Sequence, residues 1–193
     1  MHVLGYLYNT SNKRLVYGKD VDAPLKEHIL THTRNLRFDV FEPGDPLTFV
    51  DAGGGYKPTQ CAFIYLFGGI VSMRVAKLTS TTLSITEGEW FAATSGATRL
   101  MAIEPLLDFL DIPHKKPFVI FSDSKSACQL SDSDHSTKRM RHVLARLQYL
   151  QERVDHREIM LVHIDTTGNI ADLGTKTHVA RVLHKLTSLM FQS

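Results

Sequence analysis

Short apolar runs separated by polar or glycine-containing segments are the clearest pattern along the chain. Apolar runs of this length are typical of buried strands, because a buried helix needs a longer stretch. The pattern predicts strands at 47–52, 61–67, 70–77, 117–122 and 159–164. Gly68 and Gly69 stand between the second and third runs and predict a hairpin there.

Helical periodicity fills most of the remaining chain. Thr86 followed by Glu89 matches a capping box, so we expect a helix from Thr86, with a kink or break near Pro105. Apolar residues at helical spacing predict a second long helix over 137–155 and a last one over 179–191. Shorter helical segments are predicted at 123–130 and 168–175, and a loop at 131–134.

The order of these elements is three strands, a helix, a strand, helices, a strand and a helix. This order predicts the α/β class, with a mixed five-stranded sheet flanked by helices. Residues 1–46 carry weaker patterns: a helix end at 3–8, a short strand at 14–17, and then a polar stretch with three prolines. We expect that stretch to be irregular, 1–46 to be a connector, and the compact domain to span 47–193.

Composition narrows the class without deciding the function. The chain has 193 residues, 43% of them hydrophobic, and a formal net charge of +2, which is too small to indicate a nucleic-acid partner. Cys61 and Cys128 lack metal-site spacing and are typical of reduced thiols in an intracellular protein. We expect no membrane span, because the apolar runs are too short, and no signal peptide, because the first residues lack a basic region followed by an apolar one.

Acidic residues follow two of the predicted strands. Asp51 ends the 47–52 run and Asp123 ends the 117–122 run. If these strands are parallel neighbours, the two carboxylates meet at one sheet edge, and Glu89 on the intervening helix can reach them. Carboxylates so arranged suit two divalent cations that act on a phosphodiester. The alternative for each Asp is a turn or helix-cap residue, and Glu87 competes with Glu89.

Several segments together resemble one known family. Residues 83–90 (LSITEGEW), 121–127 (FSDSKSA) and 169–176 (NIADLGTK) resemble its LSTTEAEY, CDNQSA and LADILTK motifs, and 49–52 (FVDA) stands at its first strand. Residues 2–7 and 14–18 resemble the connector that follows its polymerase. The family is the ribonuclease H domain of copia-type LTR retrotransposon reverse transcriptase polyproteins. The resemblance covers nearly the whole chain, and the order of the motifs is more specific than any one of them.

The resemblance implies a ribonuclease H-like fold and a metal-dependent endonuclease that hydrolyses the RNA strand of RNA–DNA hybrids. Matched position by position, the catalytic and metal-binding residues are Asp51, Glu89, Asp123 and Asp172. The implied cofactor is two Mg²⁺ ions, with Mn²⁺ as an alternative. The implied partners are the hybrid and a polymerase domain in the same polyprotein, of which this chain is expected to be a fragment. The implied location is the cytoplasm, within virus-like particles, with a nuclear phase as an alternative.

Departures from the family pattern leave the four acids intact. The family has an aromatic residue soon after the first Asp (DADWAG), whereas three glycines follow here at 53–55. Residues 72–75 read SMRV rather than SWRS, and 175–178 read TKTH rather than TKPL. The loop at 165–168 lacks the histidine that cellular ribonucleases H carry. We expect these changes to affect the cleavage rate and the affinity for substrate more than the class of reaction.

Basic residues concentrate on the predicted helix from residue 137. Such a stripe suits phosphate backbones, and the alternative is a solvated helix face. Contacts to the RNA 2′-hydroxyl are expected near the acids. The predicted nucleic-acid-binding residues are Gly53, Gly54, Ser124, Lys138, Arg139, Arg141 and Arg146.

Two rival functions remain open for this sequence. One is a catalytically inactive ribonuclease H-like module that binds nucleic acid or braces a polymerase. The other is a different phosphoryl-transfer enzyme of the same fold, such as a transposase or resolvase. The NIAD and TK residues at 169–176 and the polymerase-like lead-in argue against the latter.

Overall fold

The computed structural model of the chain describes residues 12–18, 22–34, 45–79, 81–82, 84–129 and 141–191. Within this part, helices and strands alternate along the chain much as the periodicity predicts. The elements are α1 Asp22–His32, β1 Leu47–Ala52, β2 Thr59–Leu66, β3 Gly69–Lys77, α2 Ile85–Phe109, β4 Phe118–Ser122, α3 Lys125–Cys128, α4 Arg141–Asp155, β5 Ile159–His163, α5 Asp172–Thr175 and α6 Ala180–Thr187. A 3-10 turn, Thr166–Gly168, precedes α5.

The five strands form one sheet in the order β3-β2-β1-β4-β5. β1, β2 and β3 pair antiparallel, whereas β4 is parallel to β1 and β5 is parallel to β4. The predicted α/β class, with a mixed five-stranded sheet flanked by helices, is confirmed. The predicted hairpin is also confirmed, with its turn at Phe67 and Gly68, where φ is 52° and 76°. Positive φ at both positions is the geometry that joins twisted antiparallel strands tightly.

Alternating side chains bury both faces of the sheet. On one face, Val50 of β1 and Ile120 of β4 pack under α2 and α4. On the other, Phe49 and Phe121 stack with ring centroids 5.0 Å apart, among apolar residues of α1 and α6. A β1 residue of odd number therefore faces α1 and α6, and this parity applies to Asp51 as well.

The start of α2 differs from the predicted capping box. Ser84 is the N-cap, with extended backbone, and its side chain accepts a hydrogen bond from the Glu87 backbone N–H at 3.1 Å. The Thr86–Glu89 box is therefore wrong, because Thr86 already lies inside the helix. With Ser84 as the N-cap, the Glu89 carboxylate takes no part in capping the helix.

The helix α2 also runs past Pro105 and ends at Phe109, so the expected break does not occur. Proline lacks the N–H that the helix ladder needs, but buried Leu100 and Leu107 anchor the helix on both sides of it. Earlier in α2, a Cβ on Gly96 would lie 2.6 Å from Val50 Cγ1. The missing side chain thus lets α2 lie close against β1.

The segment with the early prolines is not wholly irregular, since Asp22–His32 forms α1 with Pro24 in its first turn. A proline is tolerated there because first-turn N–H groups have no helical partner. Leu25 and Ile29 are buried in the core, and Thr33 bridges Ile164 beside β5. The prediction of irregular structure is wrong over α1. The boundary at residue 47 stays a prediction.

Residues 14–17 do not form the predicted strand, because Arg14 alone makes a bridge there. This segment is tied to the hairpin instead, since the Tyr17 hydroxyl donates to the Ile70 carbonyl at 2.8 Å. The predicted helix over 168–175 is replaced by the 3-10 turn and the short α5. The predicted helix end at 3–8, the loop at 131–134 and positions 137–140 lie outside the described residues.

No helix in the described ranges is long and apolar enough to cross a bilayer. Cys61 and Cys128 are both free thiols.

We expect Ile29→Ala to lower the free energy of unfolding by roughly 2–4 kcal/mol, the usual cost of emptying a fully buried aliphatic site. Urea denaturation of the full chain measures this. Leu15→Ala, at a position that is 45% exposed in the same N-terminal region, should cost less than about 0.5 kcal/mol. Equal small effects would show that α1 adds nothing to the stability of the core.

Candidate functional site

The predicted acids at the strand ends meet at one edge of the sheet. Asp51 lies near the C-terminal end of β1, and Asp123 follows β4 directly. Because β1 and β4 are parallel neighbours, both carboxylates reach the same edge. Glu89 joins them from α2, and one oxygen of each residue lies within 4.8 Å of the other two. The structure therefore brings together three of the four predicted site acids.

Glu89 is buried at 5% exposure, and its Oε2 has no hydrogen-bond partner among the described residues. A buried carboxylate oxygen without a partner is costly unless a cation or a proton satisfies it. Glu87 does not belong to the three-acid group, since two residues along a helix turn the side chain by about 200°. The geometry favours Glu89 over Glu87, as the family motif implies.

Asp172 opens α5 on the face of the sheet that Asp51 occupies. Buried Asn169 fixes this segment, because its Nδ2 donates to the Val50 carbonyl at 2.9 Å and its Oδ1 accepts from the Ala171 N–H at 3.2 Å. A Cβ on Gly174 would lie 2.5 Å from Cys61 Sγ, so glycine permits close packing of α5 on β2. Asp172 is thus held beside β1.

Lys176 connects three of the four acids. Its Nζ lies 2.7 Å from Asp172 Oδ1, 3.5 Å from Asp51 Oδ1 and 3.7 Å from Asp123 Oδ2. Asp172 is not in the three-acid group, and the ammonium is its link to that group. An internal cation therefore already offsets part of the negative charge.

Neighbours of Lys176 complete the arrangement. The Thr175 hydroxyl donates to Asp51 Oδ2, and His178 Nε2 lies 2.9 Å from the Asp172 carbonyl oxygen. Sequence reasoning missed Asn169, Thr175 and Lys176 as site residues. A signal was present, because Asn169 and the Thr175-Lys176 pair flank Asp172 in the quoted motif, and Asp172 and Lys176 are spaced i, i+4.

Burial dominates the electrostatics of the cluster. Desolvation, reinforced by the charges of Asp51 and Asp123, raises the pKa of Glu89 to about 8. Desolvation also raises the pKa of Asp172 to about 6, although the Lys176 hydrogen bond opposes the rise, and it raises the pKa of Asp51. Desolvation lowers the pKa of Lys176, but its bond to Asp172 and the acidic charges outweigh this and raise it on balance.

These features fit a divalent metal ion. Hard cations prefer oxygen ligands from carboxylates, and Asp51, Glu89 and Asp123 provide them within reach of one ion. The partnerless Glu89 oxygen is the kind of atom that a cation would satisfy. Asp172 can provide a further carboxylate ligand on the side where Lys176 lies.

The predicted nucleic-acid residues near the acids have mixed surroundings. Gly53 and Gly54 line a cleft of about 320 Å³ beside the start of α2, together with exposed Tyr56. Ser124 is the N-cap of α3, because its side chain accepts from the Ala127 N–H at 3.2 Å. The Ser124 side chain thus caps α3, and the role of Gly53, Gly54 and Ser124 in binding nucleic acid stays a prediction.

The basic helix is described in part. Lys138 and Arg139 lie outside the described residues, and Arg141 starts the described part of α4. Arg146 holds its guanidinium 4.0 Å from the ring centroid of Phe91 on α2. Arg146 therefore lies against the α2 surface rather than on a fully solvated helix face.

Comparison with known proteins places the sequence. The chain is 30% identical over 176 residues to the retrovirus-related Pol polyprotein from transposon TNT 1-94 of Nicotiana tabacum. It is 27% identical over 194 residues to the transposon Ty1-JR2 Gag-Pol polyprotein of Saccharomyces cerevisiae. The chain is a homologue of retrotransposon Pol polyproteins. The predicted relationship to a copia-type polyprotein is confirmed.

The matches cover 83% and 96% of this chain, but only 13% and 10% of the two polyproteins. The chain thus spans about a tenth of the length of these relatives. No protein-family model matches the sequence. Among solved structures, LC11-RNase H1 in complex with an RNA/DNA hybrid aligns with a TM-score of 0.49 at 15% identity, over 72% of this chain and 99% of that one.

Replacing Glu89 by Gln should change stability in a pH-dependent way. Because the folded-state pKa is raised from 4.5 to about 8, the folded protein keeps a proton through this range that the unfolded chain has lost. Stability of the metal-free protein therefore falls as pH rises through that window. Between about pH 5 and about pH 9, the stability of Glu89→Gln relative to the parent should rise by roughly 4 kcal/mol.

Urea denaturation in EDTA measures this difference, and the exposed Glu152→Gln is the control. A pH-independent difference for Glu89→Gln would contradict the desolvation of this carboxylate.

Lys176→Met should lower the stability of the metal-free protein by roughly 1 kcal/mol, a value kept small because Lys176 is 36% exposed. The loss should shrink when Mg²⁺ is added, because the ion replaces the missing positive charge. Thermal denaturation with EDTA and with Mg²⁺ measures both effects. Lys116→Met removes an ion pair with Glu104 outside the cluster and should show no dependence on Mg²⁺. Equal metal responses of the two variants would refute the role of Lys176.

Proposed function

We propose that the chain is a ribonuclease H that hydrolyses the RNA strand of RNA–DNA hybrids with divalent metal ions. The observation that carries the proposal is the buried group of Asp51, Glu89 and Asp123, whose oxygens lie within 4.8 Å of one another. Homology to Pol polyproteins supports a role in reverse transcription, where hybrids arise.

The metal-binding residues in this proposal are Asp51, Glu89, Asp123 and Asp172. They would hold two Mg²⁺ ions, with Mn²⁺ as the alternative ion. When bound, such ions supply positive charge to the attacking water and to the leaving oxygen of a phosphodiester. The remaining contributions come from the side chains themselves.

The neighbouring side chains orient the carboxylates and favour their ionised form. The Thr175 hydroxyl orients Asp51 by donating to Oδ2. The Lys176 ammonium keeps Asp172 closer to its ionised form than burial alone would. Support of this kind around metal ligands fixes their orientation and commonly changes affinity or activity by about 10–100-fold.

The proposed substrate contacts lie at the glycine loop and on α4. Gly53 and Gly54 line the cleft beside the acids, where the backbone can approach a wide, shallow groove that displays 2′-hydroxyls. Lys138, Arg139, Arg141 and Arg146 would contact phosphates. The polymerase domain of the same polyprotein is the proposed partner, and the cytoplasm, within virus-like particles, is the proposed location.

A second candidate function is a catalytically inactive module that binds hybrid or braces the polymerase. The observation in its favour is the Lys176 ammonium, which lies within 3.7 Å of three site acids and reduces their need for a metal ion. Cleavage and binding, measured separately, distinguish the two functions.

The test is cleavage of a labelled RNA–DNA hybrid with Mg²⁺, compared with EDTA. Asp123→Asn should reduce the cleavage rate more than about 100-fold, since loss of a metal ligand should exceed the effect of a residue that only supports one. Glu89→Gln should act similarly, whereas its helix neighbour Glu87→Gln should leave most of the activity. The assay should be repeated in the presence of the polymerase segment.

Asp111→Asn is the matched control, because it changes the same side chain beyond the far end of α2, roughly 30 Å along the helix axis from Glu89. Equal cleavage by wild type and Asp123→Asn would overturn the site. Hybrid binding without cleavage, with and without the polymerase segment, would favour the inactive module.

A further inference from the structure

A groove beside α2, lined also by residues of β2, β3 and α4, collects positive charge away from the acids. Its volume is about 320 Å³, and its lining includes Arg74 of β3, Arg99 of α2 and Arg146 of α4. We call it the arginine groove. Gln60 and Ser95 add an amide and a hydroxyl, and no residue in the described lining is acidic. Three guanidinium groups thus face one concavity without a carboxylate among them.

Two of these guanidiniums are held in place by the protein. The Arg146 guanidinium lies 4.0 Å from the ring centroid of Phe91, and Arg99 Nη1 donates to Ser72 Oγ at 3.0 Å. Neither contact neutralises charge, because a ring face and a hydroxyl carry none. Within the described residues, none of the three arginines forms an ion pair. Partly ordered cations of one sign repel one another, and an anion in the groove would relieve that repulsion.

Guanidinium groups match phosphate in geometry as well as charge. Each presents several N–H donors in a planar fork that binds two phosphate oxygens at once. Stacking on an aromatic face keeps such a fork oriented and lowers the entropy lost on binding. The groove therefore suits phosphate better than a diffuse lysine surface would.

The position of the groove indicates which phosphate it would meet. Its α2 residues Thr94 to Arg99 lie 5 to 10 residues beyond Glu89, or about 8–15 Å along the helix axis. A nucleic-acid strand advances about 3.4 Å per nucleotide along its duplex axis, so this separation corresponds to a few nucleotides.

We propose that the arginine groove binds backbone phosphates of a nucleic acid whose scissile bond lies at the acidic cluster. The inference rests on the proposed function for the identity of that nucleic acid, an RNA–DNA hybrid. It adds Arg74 and Arg99, on two different elements, to the predicted contact residues. The groove affects the affinity for the nucleic acid and its position along the protein rather than the hydrolysis step, because its lining contains none of the site acids.

The test measures hybrid affinity by fluorescence anisotropy over a KCl series, in EDTA so that no strand is cut. Each phosphate contact contributes about 0.9 to the slope of log affinity against log salt concentration. The double variant Arg74→Gln/Arg99→Gln should lower this slope by about 2, and Arg146→Gln should lower it by about 1. Arg146→Lys should retain most of the slope, since it keeps the charge, although it loses the planar fork.

The matched control is Arg34→Gln/Arg181→Gln, which removes two exposed positive charges away from the groove. Its slope should stay near that of the parent chain. Equal losses in the two double variants would overturn the groove, because they would show a response to net charge alone. Thermal denaturation of each variant verifies that it is folded.

Other outcomes identify a different ligand or separate the two proposals. Competition by polyglutamate as strong as that by single-stranded DNA would overturn the proposal in favour of an acidic protein partner. If both arginine variants keep the salt slope of the parent and the chain cleaves hybrid, the groove proposal is overturned and the hydrolase proposal stands. If the chain never cleaves hybrid but the groove variants still lower the salt slope, the groove proposal stands and the hydrolase proposal fails.

Discussion

The ammonium of Lys176 lies among carboxylates that would otherwise repel one another where little water can reach them. At 2.7 Å from Asp172 and 3.5 Å from Asp51, it offsets a repulsion that partial burial strengthens. The geometry around it follows from this requirement. Asn169 ties the chain before α5 to the β1 backbone, and the bare Cα of Gly174 lets α5 reach β2. The residues that support Asp172 therefore also position the internal cation.

A second constraint is the pairing of β1 with β4, which brings two strand ends to one edge. The helix α2 completes the site because its start position turns Glu89 toward Asp51 and Asp123. Ser84 caps the helix and engages the Glu87 backbone, and Glu89 two residues later lies at the strand ends. One oxygen of Glu89 has no hydrogen-bond partner in the described part of the chain. The same helix contributes Arg99 to the arginine groove. One element thus links the proposed chemistry with the proposed grip on substrate.

Local pattern predicted much of this fold, and its failures have local causes. The strands were found because short apolar runs are a property of single elements. α1 was missed because Pro24 suggested a loop, whereas a proline in the first helical turn costs little. The end of α2 was placed too early, because the packing of Leu107 outweighs the bond lost at Pro105. The cap was assigned to Thr86 although Ser84 offers the same chemistry two residues earlier.

The sequence by itself determined which residues carry negative charge at strand and helix ends, and the family motifs chose Glu89 and Asp172 among them. Only the tertiary structure decided that Lys176 meets Asp51 of β1 and Asp123 after β4, and that Arg74, Arg99 and Arg146 share one groove. Periodicity reports which face of an element is buried. It does not report which other element covers that face, and ion pairs between distant segments depend on that packing.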